Sequence, residues 1–200
     1  MRKILVLGLA LLMTLGLAGF AGAAVIDFDD LVSENQVPSN YQGFNWSESW
    51  YVYDDTSYMY YYGNTYGSTS GENAVFNGGG VMVSTVSGNT FNFLGAYFTG
   101  WASYNQSVWH TSESITVEGY YQGSLVGTAS MNLSASQYDW LNAGLMGVDQ
   151  LIFYSSGDSK WFLMDDFTYN TGAPVPIPGA VWLLGSGLVG LVGLRRKLQA

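Results

Sequence analysis

Two groups of acids have types and spacing that could do chemistry: Asp27, Asp29 and Asp30 near the start of the chain, and Asp165 and Asp166 toward its end. Adjacent carboxylates repel unless a cation sits between them, and Ca2+ gathers six to eight oxygens, backbone carbonyls included. Strand alternation puts Asp27 and Asp29 on one face and Asp30 on the other, and opposes Asp165 to Asp166, so it leaves open which of each group turns inward. A glycosidase would also use two carboxylates, and Glu48, Asp54, Asp55, Glu72, Glu113 and Glu118 could supply them. With fifteen acids in the chain, such a pair carries little information. The single His110 and the absence of Cys exclude thiolate zinc sites, multi-His metal sites and a His-Glu-x-x-His helix, and no Ser-His-Asp arrangement is visible. The chain reads as a non-enzyme.

Aromatic residues are the second chemical resource. Trp50 and Tyr53 belong to a dense aromatic segment, and Trp101, Tyr104, Trp109 and His110 form a second group in what reads as a long loop. Aromatic faces stack on sugar rings, while Tyr hydroxyls and Asn amides supply hydrogen bonds. Trp50, Tyr53, Trp101, Tyr104 and Trp109 are therefore the candidate glycan-binding residues, with core packing as the alternative for each.

Charge narrows the partners. Between residues 25 and 174 stand all fifteen acids and a single base, Lys160, so this region is more negative than the −9 of the whole chain. It repels nucleic acid and anionic membrane surfaces and attracts cations.

The elements that must position these residues read as strands. The middle region is rich in Tyr, Trp, Phe, Thr, Asn and Gly and poor in helix formers. Ile115, Val117 and Gly119 alternate with Thr116, Glu118 and Tyr120; Leu151 and Phe153 alternate with Ile152 and Tyr154. Phe91, Phe93, Gly95 and Tyr97 are expected on one face, Leu125, Ala129, Met131 and Leu133 on another. Trp161, Leu163, Phe167 and Tyr169 are expected to share a face with Asp165. Gln122-Gly123 reads as a tight hairpin turn, and Asn142 to Gly147 as a loop. Many short strands separated by such turns point to an all-β fold, a single jelly roll or β-sandwich spanning residues 25–172.

The ends read as addresses. Met1-Arg2-Lys3, an apolar run from Ile4 to about Leu17, and Ala21-Gly22-Ala23-Ala24 have the layout of a secretory signal peptide, residues 1–24, cut by signal peptidase after Ala23 or Ala24. In residues 173–200, Val175-Pro176-Ile177-Pro178-Gly179 precedes an apolar, Gly-rich run from Ala180 to Leu194, closed by Arg195-Arg196-Lys197. That run is at the short limit for a membrane-spanning helix, which needs roughly 20 residues, and the basic cluster predicts a cytoplasmic C-terminus.

This tail resembles the PEP-CTERM sorting signal, in the variant whose core reads Val-Pro-Leu-Pro-Ala; Pro-Glu-Pro itself is absent, and Pro176-Ile177-Pro178 stands in its place. The resemblance implies an exosortase-like membrane enzyme that cleaves the tail, with transient anchoring in the inner membrane, in bacteria that make extracellular polysaccharide. The runs Phe-Asn-Phe-Leu-Gly-Ala-Tyr-Phe, Ile-Thr-Val-Glu-Gly-Tyr-Tyr-Gln-Gly, Val-Asp-Gln-Leu-Ile-Phe and Phe-Leu-Met-Asp-Asp-Phe-Thr-Tyr, with Ile-Asp-Phe-Asp-Asp-Leu as first strand, resemble jelly-roll carbohydrate-binding, galactose-binding-like domains. That resemblance implies pairing of the first and last strands, which would unite the two acidic groups, and a structural Ca2+ held by Asp27, Asp29, Asp30, Asp165 and Asp166. The expected protein is an exported surface or matrix component, glycan-binding or purely structural, with a glycoside-active enzyme as the remote alternative.

Overall fold

The computed structural model describes residues 22–54, 67–101, 111–156 and 160–171, all within the compact unit Gly22–Thr171. The expected C-terminal span and most of the signal peptide lie outside the described residues, among which no helix is long and apolar enough to cross a membrane. The strands are β1 (Ala24–Ile26), β2 (Asn40–Tyr41), β3 (Phe44–Trp46), β4 (Trp50–Asp54), β5 (Asn73–Asn77), β6 (Val83–Gly100), β7 (Ser114–Tyr121), β8 (Ser124–Asn132), β9 (Asp139–Ser155) and β10 (Phe162–Asn170). A 3-10 turn at Gly78–Gly80 leads from β5 toward β6. The fold is all-β, as expected.

All pairings between these strands are antiparallel, in the order β4-β5-β10-β6-β9-β7-β8, with β1 joined to β10 and the β2–β3 hairpin to β6. The two long strands make one ribbon that folds over on itself. In its ladder Ser84 faces Phe153 at one end and Phe98 faces Asp139 at the other. A straight ribbon would hold those rungs roughly 45 Å apart, yet the rings of Phe98 and Phe153 lie 6.3 Å apart. The ladder shifts register between Ser87 and Gly95, and Gly144 and Gly147 take left-handed φ values of 57° and 69° on the facing strand. Bulges of this kind bend a strand and increase its twist. One layer thus contains β4, β5, β10 and the halves of β6 and β9 that meet there; the other contains β3, the remaining halves, β7 and β8. This arrangement is consistent with a β-sandwich.

The core lies between the layers and is mainly aromatic. Trp50, Phe93 and Phe98 all pack on Phe153, at 5.2, 6.2 and 6.3 Å between ring centroids, and Phe93 stacks on Phe167 at 4.8 Å.

Several sequence expectations hold. Ile115, Val117 and Gly119 are buried, as are Leu151 and Phe153. Tyr121 pairs with Ser124 across Gln122 and Gly123, whose φ values of 49° and 76° make the tight turn expected there. The first and last strands pair, Ile26 opposite Phe167. Ala24 already pairs with Tyr169, so cleavage after Ala23 would leave β1 whole.

Other expectations fail where bulges break the alternation. Phe91 and Phe93 point inward, but so do Ala96 and Phe98, which leaves Tyr97 on the outer face. Leu163 and Asp165 share the outer face while Phe167 turns inward, because Asp166 takes a φ of 51° at the register shift between Asp165 and Thr168. Leu125 is exposed, beyond a shift that separates it from Ala129, Met131 and Leu133. Residues 142–147 belong to β9, not to a loop.

Phe153→Ala removes the ring on which both halves of the folded ribbon close. It should destabilise the domain by about 3–5 kcal/mol, the range for deleting a buried aromatic, read as a shift of the urea midpoint. A loss below about 1 kcal/mol would mean that the fold-over does not depend on this contact.

Candidate functional site

The two acidic groups meet around one loop, Gly67 to Glu72. From the β10 side, one Asp165 carboxylate oxygen accepts the Thr69 N–H (2.7 Å), the Thr69 hydroxyl (2.7 Å) and the Ser70 N–H (3.1 Å), while the other accepts the Asp166 N–H at 2.7 Å. Asp166 accepts the Ser70 hydroxyl at 2.7 Å. From the N-terminal side, Asp29 accepts the Glu72 and Asn73 N–H groups at 2.8 and 3.0 Å. Its carboxylate also fills the space where a side chain at Gly71 would stand: a Cβ built there would fall 1.7 Å from Asp29 Oδ2, and Gly71 has a φ of 51°. Asn73 completes the clasp by donating to the Phe28 and Leu31 carbonyls.

Asp27 and Asp30 serve elsewhere. Asp27 accepts the Asp29 N–H, and Asp30 accepts the Tyr41 hydroxyl, whose pKa is raised by its burial and by that carboxylate. Among the described residues no three His, Asp or Glu side chains converge as a cation site. Any Ca2+ here would draw on the carbonyl and hydroxyl oxygens of the loop as much as on carboxylates.

Asp165 is fully buried. Burial pushes its carboxyl up to about 6 from 3.8; the Thr69 and Ser70 donors pull it back, and the Asp166 charge adds to the rise.

Of the expected glycan-binding residues, Trp50 is a core residue. It is enclosed by Trp46, Phe153 and Phe162, and its indole N–H donates to the Thr85 carbonyl at 3.0 Å. It offers no ring face to a ligand. Tyr53 and Trp101 are buried too, in a second cluster on the opposite face of the β4–β5–β10 layer with Ala74, Phe76 and Leu163. Strand alternation explains it: Val52, Val75 and Met164 point into the main core, so their neighbours point outward, where Trp101 packs over Tyr53 and Phe76 at 5.6 and 5.2 Å. Tyr104 and Trp109 lie outside the described residues, as do His110, the motif Val175, Pro176, Ile177, Pro178 and Gly179, and the closing Arg195, Arg196 and Lys197.

The aromatic pair that does face solvent was not among the expected residues. Tyr97 of β6 and Trp140 of β9 are directly opposite on the outer face of their layer, with ring centroids 5.1 Å apart at 64°. Trp140 is 40% exposed. Its indole lies over Gly95, where a Cβ would meet the ring at 2.7 Å and the Leu141 carbonyl at 2.0 Å. Glycine is required here by the Leu141 carbonyl first and by the nearby indole second. Gly95 is flanked by exposed Asn142 on β9 and half-buried Thr168 on β10, so an amide and a hydroxyl stand two rungs from the rings. The next residue beyond Tyr97 on β10 is Asp165. Two features hid this pair in the sequence: the bulge that moved Tyr97 off the Phe93 face, and the Gly-containing stretch after Trp140. The visible hint was a Gly in the middle of an apolar strand, which marks a bulge or a close approach.

No family model matches the chain, and no curated protein matches it. Among solved structures, the chain is similar to TmCBM61 in complex with β-1,4-galactotriose, at 13% identity and a TM-score of 0.40, covering 70% of this chain and all of that one. It is also similar to the N-terminal CBM22-1–CBM22-2 tandem domain of Xyn10C from Paenibacillus barcinonensis, at 15% identity and a TM-score of 0.45. There 78% of this chain is covered, and the match spans about half of that one (46%). Both are carbohydrate-binding modules, and at these scores neither passes its ligand to this chain.

The state of Asp165 predicts a pH dependence in chelator-containing buffer. The folded value lies above the unfolded one, so between pH 4 and 6 the native state holds more protons, and stability falls as pH rises through that window. The full loss is about 3 kcal/mol, the two-unit shift converted at 1.36 kcal/mol per unit. Asp165→Asn should flatten that part of the stability–pH curve in urea titrations. An unchanged slope would show that Asp165 does not ionise in this window.

Proposed function

We propose that this chain is an exported, non-catalytic glycan-binding protein of the cell surface or polysaccharide matrix, and that its sugar site is the outer face around Trp140 and Tyr97. The observation that supports this most is the Trp140 indole packed beside Gly95: it is 40% exposed on the outer face, with Tyr97 against it and Asn142 and Thr168 near by. A flat aromatic beside amide and hydroxyl groups matches the alternating apolar and hydroxyl faces of a pyranose. An acidic surface favours neutral or cation-bridged polysaccharide over polyanions.

Delivery rests on the two ends. Signal peptidase would remove residues 1–24, and an exosortase-like enzyme would read Val175 to Gly179, the apolar run and the Arg195-Arg196-Lys197 cluster. The sequence pattern alone supports this part.

A structural Ca2+ at the Gly67–Glu72 clasp is part of the proposal, as a brace and not as the sugar ligand. Its carboxylates would come from Asp29, Asp165 and Asp166 around the loop, with loop carbonyl and hydroxyl oxygens completing the shell, while Asp27 and Asp30 stay with the Asp29 N–H and the Tyr41 hydroxyl. If Ca2+ binds the native state alone, it must raise the melting temperature, and EDTA must lower it again. A melting temperature indifferent to both removes the metal.

Glycan binding is tested by pull-down on the polysaccharide of the source cells. Trp140→Ala should weaken binding about tenfold or more, the equivalent of about 1.4 kcal/mol of stacking, with only a modest fall in melting temperature from the lost packing on Gly95 and Tyr97. Tyr97→Ala should do the same to a smaller degree. Undiminished binding by both variants would place the sugar elsewhere, and sugar release from the polysaccharide would point to an enzyme.

A further inference from the structure

A β-sandwich must manage its edges, because an edge strand presents unpaired N–H and C=O groups to any other strand. Most edges here are managed. The outer side of β4 is covered by residues 34–37, through bonds such as Val37 N–H to the Trp50 carbonyl and Val52 N–H to the Asn35 carbonyl. The free half of β9 carries Gly144 and Gly147 in left-handed conformation, which breaks its line. Strands β1, β2 and β3 are two or three residues long.

Strand β8 has only one such device, the register shift at Val126 beside its turn, and beyond it the strand runs regularly from Gly127 to Asn132. It runs for nine residues, Ser-Leu-Val-Gly-Thr-Ala-Ser-Met-Asn, with no charge, no Pro and no left-handed residue, and among the described residues it pairs with β7 alone. Leu125 and Val126 beside its turn are 55% and 48% exposed. The direction of its free groups follows from one bond. Leu133 N–H donates to the Glu113 carbonyl on the β7 side. Antiparallel ladders alternate, so Gly127, Ala129 and Met131 also bond inward, as far as the register shift at Val126, while Thr128, Ser130 and Asn132 direct their N–H and C=O groups at the open edge.

We propose that this edge pairs with β8 of a second copy of the chain, antiparallel about a two-fold axis at Ala129. In that register Thr128 faces Ser130 of the other copy and Ser130 faces its Thr128, so both central open residues bond in both directions, and the bulge at Val126 ends the pairing on one side. On the inner face Ala129 meets Ala129, and Met131 meets Gly127, so a large side chain is set beside a small one. Charge selects the partner. The chain is acidic overall, yet this edge carries no acid: a basic partner finds nothing to pair with, and two copies meet here without the repulsion that other surfaces impose. A two-fold contact of this kind is self-complementary by construction. With one sugar face per chain the pair would be bivalent, which raises avidity for a repeating polymer; the pairing itself does not depend on that reading.

Amide hydrogen exchange of the full-length protein, followed from dilute to concentrated solution, tests the pairing. The N–H groups of Thr128 and Ser130 should slow about tenfold or more as concentration rises, with no such change for solvent-facing amides elsewhere. Ser130→Pro removes one open-edge donor and no β7 bond, and Thr128→Lys sets like charges on neighbouring rungs; each should abolish the concentration-dependent protection. Having two variants guards against one that fails to fold. Association that leaves these two amides unprotected, protection that survives both substitutions, or protection that appears only with added polysaccharide would each overturn the proposal.

Discussion

The folded ribbon of β6 and β9 is the constraint from which the rest of the structure follows. Two strands of 18 and 17 residues cannot lie straight in a domain of this size without exposing their apolar residues. Doubling them back lets Phe98, near one end, close on Phe153, near the other. Once they are doubled, β10 and β5 add to one half and β7 and β8 to the other, and the interior fills with aromatic rings in edge-to-face contact such as Trp50 on Phe153.

The same bulges that allow the fold-over also choose what the outside displays. A one-residue slip exchanges the faces of everything beyond it. On β6 the slip between Phe93 and Ala96 sends Tyr97 outward to meet Trp140; on β10 the left-handed Asp166 lets Asp165 face outward while Phe167 enters the core. The loop clasp and the aromatic pair therefore have a common geometric origin, and they share one row across three strands, Asp165 opposite Tyr97 and Tyr97 opposite Trp140.

What could be read in the sequence was local and periodic. Ile115, Val117 and Gly119 alternate without interruption, and the strand is where that pattern puts it. Gln122-Gly123 supplies two consecutive left-handed residues, and the hairpin closes there. Union of the acidic groups came from likeness to jelly-roll domains, and β1 does pair with β10. What could not be read depends on long-range register. Nothing near Trp50 announces that it faces Phe153 about a hundred residues away, and nothing near Trp140 announces a glycine on the facing strand that leaves room for its ring. Aromatic content alone could not separate the indole inside from the indole outside, because both stand in strands of similar composition.

The central claim is that the outer face of the β6–β9–β10 layer is the working surface. The most direct measurement is an NMR titration of the folded domain with oligosaccharides cut from the matrix polysaccharide. The account predicts progressive shifts of the Trp140 indole N–H and of the backbone amides of Tyr97, Asn142 and Thr168, with the Trp50 indole, held by the Thr85 carbonyl, unmoved. Shifts confined to other surfaces, or none at saturating sugar, would contradict it.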